Sequence, residues 1–89
     1  MKPIVMQLSR PKDIQAAVEY AQTEARKNNL RFSGNVSQGN GSGHGFTASY
    51  TVRPGYIELT VDKKPFWASS NMVQDAVNRF WADYLQNEG

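Results

Sequence analysis

Between Phe46 and Val61 the chain alternates apolar and polar positions on both sides of a Pro54-Gly55 break. Phe46, Ala48, Tyr50 and Val52 interleave with Thr47, Ser49, Thr51 and Arg53; Ile57, Leu59 and Val61 interleave with Glu58, Thr60 and Asp62. A period of two on either side of a turn pair predicts an antiparallel hairpin with one face on a core and one in water. Ile4, Met6 and Leu8 repeat the pattern and predict a short first strand.

From Asp13 to Asn29 the period lengthens. Ile14, Ala17, Val18, Ala21 and Ala25 recur at spacings of three and four, the stripe of an amphipathic helix. Ser9 offers a hydroxyl cap, Pro11 suits a first helical turn, and Asn28-Asn29 offers a left-handed exit. Leu30, Phe32 and Val36 predict a second strand, with Gly34 as a bulge or a point of close approach. The run Gln38 to Gly45, rich in glycine and small polar residues, reads as a flexible loop joining two strands. Pro65 ends the last strand or turns it into an edge. Ser69 or Ser70 then caps a helix whose apolar face comprises Val73, Ala76, Val77, Phe80, Trp81, Tyr84 and Leu85.

These elements predict a single α+β domain over residues 1–89, a two-layer sandwich in the order β-α-β-β-β-α. A mostly antiparallel sheet carries two helices on one face. The expected core is Ile14, Val18, Ala21, Phe32, Phe46, Tyr50, Val52, Ile57, Leu59, Val61, Val73, Val77, Phe80 and Tyr84.

With 89 residues and no cysteine, stability has to come from packing, without disulfides or thiolate metal sites. Cysteine-free composition suits a cytoplasmic protein. Met1 to Leu8 is too short and too polar for the apolar region of a signal peptide, and no stretch approaches a membrane span. The net charge of +2 is mild, and its basic residues are dispersed. Nucleic-acid binding through the sheet, with Tyr56, Arg31, Arg53, Lys63 and Lys64 as stacking and basic contacts, is therefore the second reading, with Glu58 and Asp62 against it.

Catalytic chemistry finds little footing. His44, the sole histidine, has no Cys, Asp or Glu between Leu30 and Tyr56 to act as base, nucleophile or co-ligand, and reads as an exposed loop residue. The loop glycines are followed by a strand and not by Gly-Lys-Ser/Thr opening a helix, so they do not make a phosphate loop. Glu58 and Asp62, four positions apart on a strand, stand roughly 13 Å apart, too far for a typical glycosidase pair. The expectation is a non-enzyme with no catalytic, cofactor or metal residues. The aromatic residues are the better candidates. Phe80 and Trp81 are consecutive on one helix, and Phe66 and Trp67 follow a proline outside regular structure. Phe66, Trp67 and Trp81 are the candidate partner-binding residues, because exposed apolar area marks contact sites.

In overall pattern the chain resembles a small bacterial family of polyhydroxyalkanoic acid system, or granule-region, proteins. The resemblance lies in the helix Asp13 to Asn29, the strand Phe32 to Val36, the glycines Gly43 to Gly45, the hairpin Ala48 to Val61, Pro65-Phe66 and the helix Val73 to Leu85. The Gln38 to Gly45 run and Trp67-Ala68-Ser69-Ser70 depart from that pattern. The resemblance implies a compact two-layer, non-catalytic domain associated with storage-polymer granules. A protein partner, or a homodimer formed through a sheet edge, is the alternative use of the same apolar surface.

Overall fold

The computed structural model describes residues 2–88. Five strands and two helices follow in the order β1 (Ile4–Leu8), α1 (Ile14–Lys27), β2 (Arg31–Gly34), β3 (Gln38–Gly43), β4 (Phe46–Val52), β5 (Ile57–Lys63) and α2 (Ser70–Gln86). All pairings are antiparallel, in the spatial order β1-β5-β4-β3-β2. The fold is the expected α+β sandwich, with both helices on one face of the sheet.

The glycine-rich run is not a loop. Residues 38–43 form β3, pairing Phe32 with Gly41 on one side and Tyr50 with Gly39 on the other. Its own alternation explains this: Gly39, Gly41 and Gly43 fall on the helix-facing side, and Gln38, Asn40 and Ser42 on the wet side. The inner glycines leave room for large neighbours. Tyr50 lies across Gly39 and Gly34 and donates its hydroxyl to the Asn35 carbonyl at 2.7 Å, and Phe32 stacks on Tyr50 with centroids 6.1 Å apart. Burial pushes the Tyr50 phenol above its ordinary pKa.

Turn chemistry sets the register. His44 (φ 52°) and Gly45 (φ 87°) both adopt positive φ between paired Gly43 and Phe46, as a two-residue hairpin turn with the strands' own twist requires. His44 Nε2 lies 2.8 Å from the Asn28 carbonyl, so this exposed histidine ties the hairpin to the end of α1. At the β2–β3 turn the Asn35 side chain accepts from the amides of Ser37 and Gln38 at 2.8 and 3.0 Å. Val36, expected in a strand, stands exposed at that turn.

The helix ends follow capping rules, with one correction. The N-cap of α1 is Asp13, whose Oδ1 accepts from the Ala16 amide at 3.1 Å; Ser9 and Pro11 precede the helix. At the other end Asn29 takes φ 58°, and the amides of Leu30 and Asn29 bond the carbonyls of Ala25 and Arg26 at 2.8 and 3.3 Å. That pair of bonds is a Schellman closure on asparagine. For α2, Ser69 is the cap, accepting from the Met72 amide at 3.1 Å.

The tightly buried core gathers at one side of the sandwich. Ile4, Met6, Leu8, Ile57, Val61, Ala68 and Val73 form it, where β1 and β5 meet the start of α2. The expected core contained Ile57, Val61 and Val73 but placed Phe80 inside; that ring is 44% exposed. Tyr50, Val52 and Leu59 also remain partly exposed on the inner face of the two most central strands.

Candidate functional site

Two apolar features lie open beside the core. The first is the connection between β5 and α2. Here the Ala68 amide donates to the Pro65 carbonyl at 3.1 Å, closing a tight turn with Phe66 and Trp67 at its two corners. Ala68, 2% exposed, anchors the turn in the core, and Lys64 Nζ donates to the Ala68 carbonyl at 2.6 Å. Corner side chains project outward when the turn's end is pinned inward. Phe66 is 99% exposed and Trp67 61% exposed, with Trp67 meeting Phe46 in a T-shaped contact at 6.1 Å. Met72, in the first turn of α2, is exposed as well.

Trp81 does not join them. It lies near the opposite end of α2, roughly 16 Å along the helix from Ser70 at the usual rise. There it donates its indole N–H to the Ser9 carbonyl at 2.8 Å and stacks on Tyr84 at 5.3 Å. The structure thus brings Phe66 and Trp67 together at one end of the sheet and places Trp81 at the other, against the end of β1.

The second feature is a cleft of about 370 Å³ between the helices. Its walls are Ile14, Ala17, Val18 and Ala21 of α1 and Ala76, Val77, Phe80 and Trp81 of α2; Tyr50, Val52, Ile57 and Leu59 form its floor. Leu8 and Phe32 complete the lining, so every residue around it is apolar or aromatic. Small residues explain the space. Ala17, Ala21 and Ala76 are among the lining side chains, and the helices meet through Tyr20, stacked 5.7 Å from Phe80 and 4.9 Å from Tyr84. Desolvation, followed by the charge of Glu24, raises the Tyr20 pKa; desolvation, followed by Glu88, raises that of Tyr84.

At 24 cal/mol per Å³, a sealed empty void of 370 Å³ would cost about 9 kcal/mol, comparable with the whole stability of a small domain. The cleft avoids this cost by opening to solvent, at the expense of wetting apolar walls. Filling it from the helix side should therefore stabilise the fold: Ala76→Leu is expected to add about 0.5–2 kcal/mol to the unfolding free energy in urea. A loss of stability would show that Ala76 abuts packed atoms instead.

The basic residues of the second reading do not converge, and Tyr56 shares only Arg53's turn, its carbonyl accepting from the Arg53 amide at 2.8 Å. Arg53 pairs with Glu58 at 3.2 Å, Lys64 is spent on the Ala68 carbonyl, and Arg31 and Lys63 sit on β2 and β5, with β3 and β4 between them. The cleft was not foreseen in the sequence. Its signal was Ala17 and Ala21 recurring on the inner stripe of α1, opposite Ala76 of α2, above a strand whose inner positions are all glycine. No helix among the described residues is long and apolar enough to cross a membrane. Comparison with protein-family models, curated proteins and solved structures finds no match to this chain.

Proposed function

We propose that the protein is a non-catalytic binding module that associates with an apolar surface, that of a polyhydroxyalkanoate-type storage granule, through the Phe66-Trp67 turn. The observation that carries this reading is a phenylalanine held wholly in water at the corner of an anchored turn. Leaving Phe66 and Trp67 exposed forgoes about 1.5–3 kcal/mol for a side chain of this kind, a cost recovered when the tip enters an apolar phase. The turn is rigid, pinned by Ala68 and Lys64, so little ordering opposes docking. The storage-polymer surface is the one implied by the resemblance of the chain's pattern to granule-region proteins.

Co-sedimentation with polyhydroxyalkanoate granules tests it. The unmodified protein is expected to pellet with granules at both low and high salt, because apolar contact is not screened. Phe66→Ser with Trp67→Ser should abolish pelleting. Phe66→Ser should leave stability within about 0.5 kcal/mol, and Trp67→Ser should cost about 0.5–1.5 kcal/mol through the lost Phe46 contact. Pelleting undiminished in the double variant would place the contact elsewhere. Pelleting lost at high salt in the unmodified protein would make the attraction electrostatic and sink the reading. Sedimentation of the protein alone as a dimer through this turn would assign the tip to a second copy.

A further inference from the structure

We infer that the cleft between α1 and α2 is a binding site for a single alkyl chain, such as the tail of a fatty alcohol or fatty acid, with its headgroup left in solvent. This is independent of the Phe66-Trp67 turn, which lies at the other end of the sheet from Trp81.

Three properties of the cleft select the occupant. The first is polarity. Only two side-chain polar atoms belong to its lining, the Tyr50 hydroxyl and the Trp81 indole N–H, and both are already used, on the Asn35 and Ser9 carbonyls at 2.7 and 2.8 Å. A polar guest would surrender its water and find no free side-chain donor in return. The second is charge: no ionisable carboxylate, amine or guanidinium lines the walls, so nothing there would hold an ionic headgroup. The third is size. At about 370 Å³ the cleft is at the lower end of the small-molecule range. An alkyl chain is slender, apolar and free of backbone amides that would need partners. An apolar guest entering the cleft would return the water on its walls to bulk, which is favourable.

The floor is also suited to a flexible chain. Leu59, Val52 and Tyr50 are partly exposed although they lie on central strands beneath two helices, so an occupant would cover side chains the fold itself leaves uncovered. Trp81 on the wall makes a built-in reporter, because the only other tryptophan is Trp67.

The test uses the full chain carrying Trp67→Phe, so that emission comes from Trp81 alone. It is titrated with 1-octanol, 1-decanol, 1-dodecanol and dodecanoate, each below the concentration at which it aggregates. A saturable change in Trp81 emission is expected for all four. Affinity should rise about three- to fourfold for each added methylene that enters the cleft. Dodecanol and dodecanoate should bind within a fewfold of one another, since the headgroup stays outside. The thermal midpoint of the unmodified chain should rise with dodecanol concentration. Ala76→Leu is expected to weaken binding at least tenfold while remaining folded, and Ala21→Leu obstructs the same space from the opposite wall if the first variant misfolds. Phe66→Ser should bind as the unmodified chain does, so failure of the granule reading and failure of this one are separable. The inference is overturned by no saturable signal and no thermal shift, by binding that ignores chain length, or by undiminished affinity in both obstructed variants. A concentration-dependent dimer that excludes dodecanol would also overturn it, giving the cleft to a second copy.

Discussion

Truncating Ile57 to alanine is expected to lower the unfolding free energy by about 2–5 kcal/mol, the range for large-to-small changes in a packed core. Ile57 is 7% exposed, opens β5 opposite Leu8, and belongs to the cluster joining β1, β5 and the start of α2. Its neighbour on the same strand face behaves differently. Both residues border the cleft, but Ile57 is buried against β1 and Leu59 is partly exposed, so Leu59→Ala removes less buried area. It should cost only about 1–2 kcal/mol. Chemical denaturation of the two variants side by side makes the comparison, with equal slopes showing that both report on the same transition. Equal losses would mean that the cleft closes over Leu59 in solution. A larger loss at Leu59 than at Ile57 would move the centre of the core.

The contrast between those two residues marks where the sequence stops being legible. Alternation identified every inward residue of β4 and β5, and caps and turn pairs located α2 and the end of α1. Periodicity says which way a side chain points and not what it meets there. Phe80 belongs to the apolar stripe of α2, yet lies 44% exposed, stacked on Tyr20 of α1 instead of entering the core. The same limit explains the glycine-rich run. Its Gly/polar alternation has a strand's period, but glycine carries no hydrophobic signal, so the pattern looks like a loop until Tyr50 and Phe32 are seen lying over it. At the start of α1, Ser9 and Asp13 are both cap residues, and only Asp13 meets an amide three positions on. Among the candidate contact residues, Phe66 and Trp67 could be singled out by their place beside a proline, outside any periodic segment. Trp81 shares their chemistry and not their surroundings, a distinction that depends on where a helix ends in space.

Replacing Gly39 with alanine is the second large effect, expected at about 1–3 kcal/mol of destabilisation by overpacking. A methyl group there would stand 2.7 Å from both Tyr50 Cζ and the Gly34 backbone, closer than packed carbons approach. The two obstacles differ in kind. Tyr50 is a side chain that could swing away, but only by giving up its 2.7 Å hydrogen bond to Asn35 and its stacking on Phe32. The Gly34 Cα belongs to the paired strand β2 and cannot move without breaking the ladder. Gly39→Ala should therefore become milder in a Tyr50→Ala background, with a coupling energy of at least about 0.5 kcal/mol, yet remain destabilising because the backbone contact persists. Gly55→Ala is the control: nothing lies within 4 Å of the added carbon, and the change should stay within about 0.5 kcal/mol. Urea denaturation of the single and double variants provides all four corners of the cycle. If Gly39→Ala were as harmless as Gly55→Ala, β3 would not be paired between β2 and β4, and the glycine run would be a loop after all. A full loss with no coupling to Tyr50 would assign the close approach to the backbone alone, leaving the aromatic lid over β3 a consequence of the strand pairing and not a cause of it.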